Sequence, residues 1–240
     1  MSRTLVLGVA AVVLLAGTAG AFLFLSPSPD RERLYQFSTL DALVQGDYRA
    51  AGSVAELLRG GDLGLGTFEH LDGEMIVLNG KCYRAAADGT VREVGADGPV
   101  SFAQVTYFDA DGTVGLSGRL TTADVEALLR EAFPGEGSFI MVRVHGTFDN
   151  MTVRSVPAQQ VPYPPLADAL EQEVRHHYAG VTGTLVGLWS PSFTAGMSSA
   201  GFHFHFISDD LTKGGHVLAF TLSDLVAEWD ETPRYAVELS

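Results

Sequence analysis

A single cysteine, Cys82, stands in 240 residues. It excludes an intramolecular disulfide and any metal site built on several thiolates, and reads as a small, semi-buried apolar side chain. Basic residues are scarce too: 15 Lys and Arg against 29 Asp and Glu give a formal net charge of -14. Such a surface repels phosphate backbones and anionic headgroups, which excludes nucleic acid and a membrane surface as partners. It also repels small anionic substrates, so any such substrate needs a local cation where it binds. The glycine-rich stretch from Gly60 to Gly66 is not a phosphate loop, because no Gly-Lys-Ser/Thr follows it. No internal repeat is visible. The chain is 46 % hydrophobic and 18 % charged, the composition of a folded protein with a sizeable core.

The N-terminus is set apart by its composition. Arg3 precedes an uncharged, largely apolar run from Thr4 to Leu25, with Ala19-Gly20-Ala21 near its end and Ser26-Pro27-Ser28-Pro29 after it. This is the pattern of a signal peptide, and the run is also long enough for an uncleaved membrane anchor. Either route predicts a domain outside the cytoplasm, whether secreted, periplasmic or anchored. Residues 1–29 are accordingly separated from the folded part, which the prolines between Pro157 and Pro165 divide into lobes at 30–157 and 158–240.

Strand signals predominate in both lobes. Asn79-Gly80 marks a tight hairpin between residues 75–78 and 81–85. Ser38-Thr39 caps one short helix, and Thr121 to Asp124 opens another that Pro134-Gly135 stops. Residues 139–148 and 151–156 read as two strands and residues 166–177 as a helix. Residues 183–189, 201–207 and 215–222 read as β. The predicted class is α+β (mixed α/β): two β-rich lobes with mixed or antiparallel sheets and a few helices.

Chemistry concentrates in Gly201-Phe-His-Phe-His-Phe, followed by Gly214-Gly215-His216. Alternate residues of a strand share a face, so His203 and His205 point one way while Phe202, Phe204 and Phe206 point the other. A polar loop and a Gly-Gly return let His216 open the next strand opposite them. Three imidazoles on a C-terminal β-hairpin match a catalytic zinc site, whose fourth position stays open to water or substrate. The competing reading is three unrelated polar positions on a solvated face. His176-His177 reads as surface, and His70 and His145 are isolated.

Several segments together resemble the acetolactate decarboxylase family. They are Tyr35-Gln36-Phe37-Ser38-Thr39, Gly64-Leu65-Gly66-Thr67-Phe68, Leu71-Asp72-Gly73-Glu74, Arg143-Val144-His145-Gly146, Gly183-Thr184-Leu185-Val186-Gly187 and the histidine segment itself. The similarity runs from Leu34 to Leu239. It implies a Zn2+ enzyme, liganded by His203, His205 and His216, that decarboxylates acetolactate to acetoin, and it implies a homodimer. It also implies that Glu74 lies near the metal and that one arginine enters the site. By position that arginine looks like Arg154, with Arg143 the second candidate. The family carries a further glutamate in a C-terminal tail, which Glu238 at the end of this sequence does not match. The alternative function is therefore an exported, non-catalytic metal- or ligand-binding module derived from this family.

Overall fold

The computed structural model describes residues 30–239; the expected leader or anchor lies outside them. Two sheets account for most of this part. The first takes β1 (Arg33–Phe37), β2 (Gly52–Ser53), β3 (Leu63–Phe68), β4 (Glu74–Leu78), β5 (Lys81–Ala85), β6 (Val91–Glu93) and β7 (Pro99–Thr106). The second takes β8 (Gly112–Thr121), β9 (Phe139–Ser155), β10 (Val174–Ser190), β11 (Gly201–Ser208) and β12 (Gly214–Thr232). The chain then returns to the first sheet through β13 (Arg234–Glu238). Four short helices decorate the sheets: α1 (Leu40–Val44), α2 (Val54–Leu57), α3 (Thr122–Ala132) and α4 (Leu166–Leu170). The α+β expectation holds, with one mixed and one antiparallel sheet.

Strand order in the first sheet is β13-β1-β7-β3-β4-β5-β6, with β2 added to β7; only β1 and β13 run parallel. In the second sheet β10, β9, β12 and β8 lie side by side, and β11 pairs with both β10 and β12, closing a four-stranded ring. The sheets meet through Leu34, Leu65 and Ile76 on one side and Met141, Val186 and Leu188 on the other. Alternation then sends Val142, Leu185 and Trp189 to the second sheet's other core, which α3 covers with Val125 and Leu129. Phe148, Phe204, Phe206 and Phe220 meet there edge to face, with ring centroids 5.4 to 6.1 Å apart. No helix among the described residues is long and apolar enough to cross a membrane.

Local chemistry explains many boundaries. Asn79 and Gly80 both take positive φ (52° and 71°), as the two central residues of the β4–β5 turn require. Thr121 and Asp124 form a reciprocal capping box at α3. Glycine in β3 is a packing requirement, since a Cβ on Gly66 would stand 2.3 Å from the Phe102 carbonyl oxygen of β7.

The structure corrects three expectations. The helix read over residues 166–177 ends at Leu170, and Val174 onward is β10, held by pairing against β9 from Ser155. His176 and His177 therefore sit on a strand. Residues 139–155 form one continuous strand rather than two; the polar interruption at Asp149 is a bulge against β12. β12 continues to Thr232, past the residue 222 expected, and β8 and β13 are additional strands. The change of sheet falls between Thr106 and Gly112, whereas the proline segment lies between β9 and α4.

Asp230 of β12 is 3 % exposed beside that crossing, where its carboxylate accepts from the Asp109 backbone N–H at 3.3 Å. Burial, and then the negative charges of Asp111, Glu32 and Asp109, push its pKa up to about 7. The folded state thus holds a proton that the unfolded chain releases near pH 4, and stability falls as pH rises from there through 7. Asp230→Asn is expected to melt above the parent by roughly 5 °C at pH 8, with the gap closing toward pH 4. Melting curves at both pH values check this, and a gap independent of pH would remove the buried charge from the explanation.

Candidate metal centre

The histidine strand turns one face toward the first sheet. His205 is paired with Val186 of β10, a residue of the inter-sheet core, so its own side chain enters that interface. There its Nδ1 donates to the Met75 carbonyl oxygen of β4 at 2.7 Å. A carbonyl only accepts, so the ring proton is fixed on Nδ1 and the lone pair on Nε2. His205 is 1 % exposed, and its Nε2 is buried without a hydrogen-bond partner.

The other two histidines complete a cluster. His216 is the direct partner of His205 across β11 and β12, and His203 lies two residues before His205 on the same face. Ring centroids are 4.9 Å apart for His203 with either neighbour and 5.3 Å for His205 with His216. One nitrogen from each ring falls within 4.8 Å of the others. These donors fit a metal ion: three neutral imidazoles converge, one with its lone pair unsatisfied and its second nitrogen held by a backbone carbonyl, as metal-ligating histidines usually are. The solvated-face reading of the sequence does not describe this arrangement.

All three imidazoles are held neutral. Burial, with the positive charge of Arg154 second, lowers His203 to about 4. His205 and His216 are driven well below the ordinary histidine value by burial and then by neighbouring imidazoles. Neutral rings offer their lone pairs at physiological pH.

Glu74 arrives from the first sheet, as the first residue of β4. Its Oε2 stands 3.5 Å from His205 Nε2, and the residue is only 9 % exposed. Burial raises its pKa to about 7, against an opposing pull from Arg154 and with a smaller push from Glu173. Arg154 of β9 is brought in by register, because it pairs directly with His216 of β12. Its Nη1 donates to Glu173 Oε2 at 3.1 Å, and both side chains are 15 % exposed. Arg143, the second candidate, lies elsewhere on β9, where it pairs with Glu228 and covers the Phe108 ring.

A cavity of about 320 Å³ joins these groups. Glu74, Arg154 and the three histidines line its polar side; Leu43, Leu71, Phe102 and Leu166 line the other. Thr122 and Glu126 of α3 also reach it, and Thr122 is anchored through its hydroxyl, which accepts from the Phe220 N–H at 2.8 Å. The arrangement suits a small, oxygen-rich anion with short apolar groups: a metal site, one fixed cation, one buried carboxyl and a water-poor wall. Sequence reasoning picked out Glu74, Arg154 and the three histidines among the polar residues that line the cavity. It missed Thr67, Thr122, Glu126 and Ser199 there, and Glu173 behind Arg154, whose signal was hidden by reading residues 166–177 as helix. It also missed the Met75 carbonyl, which carries no signal in residue type.

Comparison with known proteins points to one family. The profile of the alpha-acetolactate decarboxylase family matches residues 34–240. The alpha-acetolactate decarboxylase of Methanosarcina mazei is 39 % identical over 206 residues, covering 86 % of this chain and 72 % of that one. The enzyme of the same name from Methylococcus capsulatus is 38 % identical, covering 86 % and 79 %. Among solved structures, alpha-acetolactate decarboxylase from Bacillus subtilis strain 168 superposes with a TM-score of 0.84 at 31 % identity, over 86 % of this chain and 88 % of that one. The resemblance legible in the sequence therefore extends to profile, relatives and fold, and the chain belongs to the alpha-acetolactate decarboxylase family of carboxy-lyases.

Proposed function

We propose that the protein is a zinc-dependent enzyme that converts 2-acetolactate to acetoin, in the acetoin and butanediol pathway, and that it works outside the cytoplasm as a homodimer. The observation that carries the chemistry is the three-histidine cluster, buried at His205 and half-buried at His203 and His216, with its unsatisfied His205 Nε2, in one cavity with Glu74 and Arg154. Zinc suits this donor set by geometry and availability, not by raw affinity. Export is supported by the composition of residues 1–29, and the dimer by the family resemblance.

The substrate carries a carboxylate, a tertiary hydroxyl and a neighbouring ketone. When its C–C bond to the carboxylate breaks, CO2 leaves, the bonding pair stays behind and negative charge moves to the ketone oxygen. A zinc ion held by the histidines supplies the Lewis acidity that lowers the energy of that charge. Arg154 supplies the local cation that a protein of net charge -14 needs to admit an anion. Its guanidinium recruits the carboxylate and balances the charge as it moves. Glu74, buried at the cavity wall, holds a proton and delivers it to the carbon that lost CO2, giving acetoin. The apolar wall of leucines and Phe102 accepts the two methyl groups and excludes water.

Acetoin formation from racemic acetolactate, with and without a chelator, tests the reading. Chelator-sensitive acetoin is expected; bound zinc with no acetoin would assign the fold to a binding module. Glu74→Gln is expected to lower kcat by about 100-fold while zinc content stays at one ion per chain. Full turnover in that variant would exclude Glu74 from the proton step. Arg154→Ala should raise KM for acetolactate, whereas Arg143→Gln should leave it within about twofold of the parent; the reverse order would exchange the two arginines. The dimer is checked by light scattering on the purified exported part, where a monomer mass would refute it.

A further inference from the structure

The register that builds the site also creates a charge conflict. Arg175 of β10 is the direct cross-strand partner of Arg154, and like charges placed opposite one another destabilise a sheet. Continuing across the same row come His216 and His205, so the conflict sits beside the metal ligands. Glu173 resolves it. Its Oε2 accepts from Arg154 Nη1 at 3.1 Å and its Oε1 from Arg175 Nε at 2.6 Å. The Arg175 side chain is 62 % exposed, against 15 % for each of the other two. The bridge therefore runs from solvent inward to the cavity wall.

Arg154 has little else to hold it. Its Nε is buried without a partner, and among the described residues Glu173 is the one side chain that accepts a hydrogen bond from its guanidinium. Freed from that anchor, the long side chain could turn toward Glu74, the buried carboxyl of the same cavity. Glu173 is not among the residues lining the cavity, so it acts on a bound molecule chiefly through Arg154, with a smaller electrostatic push on Glu74.

We infer that Glu173 is a positioning residue: it fixes the Arg154 guanidinium at the cavity wall, and Arg175 restores the positive charge that Glu173 removes. The three side chains then present one net positive charge to a small carboxylate. This rests on the reading that Arg154 receives the substrate's carboxylate.

The test uses the zinc-loaded protein and two readouts, steady-state kinetics with acetolactate and calorimetric binding of 2-hydroxy-2-methylpropanoate, an unreactive 2-hydroxy acid. Glu173→Ala is expected to raise KM about tenfold and weaken the analogue by the same factor, with kcat within about twofold. Glu173→Gln keeps an acceptor for Nη1 and should recover part of the loss, leaving KM about threefold above the parent. Zinc content should stay at one ion per chain in both. Adding Glu173→Ala to Arg154→Ala should leave analogue binding within about twofold of Arg154→Ala alone, because the first acts on the carboxylate chiefly through the second. If Arg154→Ala weakens KM and analogue binding but Glu173→Ala does not, the positioning role is overturned and the reading of Arg154 survives. If Arg154→Ala leaves both unchanged, the reading of Arg154 fails and the inference with it. Arg175→Gln, at an exposed side chain, guards against a folding defect in the alanine variant. It should raise KM about threefold by leaving Glu173 uncompensated, and an unchanged KM there overturns the charge-balancing part.

Discussion

The hydrogen bond from His205 Nδ1 to the Met75 carbonyl crosses between the two sheets at the point where the cavity is built. It fixes several things together. It chooses the tautomer and so aims the Nε2 lone pair at the cluster. It brings the start of β4, and with it Glu74, against the imidazoles. And it makes the histidine cluster with its carboxylate neighbour a property of the packing of two sheets, not of one hairpin. Because the contact is to a backbone carbonyl, it survives changes of side chain at Met75 but not a displacement of β4 along the second sheet. The glycines of β3 belong to the same constraint: β4 pairs with β3, β3 presses on β7, and the Cβ-free edge at Gly66 lets those backbones approach.

Electrostatics inside the cavity run against the surface of the molecule. The net charge is -14, yet the cavity gathers a guanidinium, three neutral imidazoles able to hold a cation, and a carboxyl whose pKa burial has raised to about 7. Low polarizability there makes each of these groups more effective than it would be in water and makes uncompensated ones expensive. The Arg175–Glu173–Arg154 bridge and the hydrogen-bonded His205 are two ways of keeping such groups charged or oriented without a ligand present. A surface of that charge repels small anions, while the Arg154 guanidinium places a cation at the cavity wall.

Much of this was legible in the sequence, for local reasons. The period-two alternation of histidine and phenylalanine, the Gly-Gly return and the Asn79-Gly80 turn are short-range signals, and each element formed where they pointed. Glu74 and Arg154 entered through family resemblance, and the structure brings both to the cavity. What local pattern could not decide was register. Arg143 and Arg154 lie on one 17-residue strand, and at about 3.4 Å per residue they are far apart along it; only the pairing of β9 with β12 shows which one meets His216. Residues 171–177 were misread because a single apolar residue, Val174, among polar ones carries no period that separates helix from strand. The decision for β10 comes from hydrogen bonds to β9, a tertiary influence with no local signature. β8 was missed for a similar reason, since its glycines weaken a strand signal that pairing with β12 overrides.

Unsatisfied polar atoms in a folded interior call for an explanation, and two of those found among the described residues, His205 Nε2 and Arg154 Nε, belong to this one cavity. Each stands next to a group that is itself well anchored: Nδ1 of the same imidazole holds a carbonyl, and Nη1 of the same guanidinium holds a carboxylate. The pattern is one of side chains secured through one atom and left open through another. Burying an unpaired polar atom costs about 1–3 kcal/mol, a penalty that a core of this size can carry only at a few positions. The penalty is concentrated on two side chains of the candidate site, one of them in the cluster that could hold a metal ion. The same anchoring holds both side chains in place, so neither rearranges to satisfy its unpaired atom.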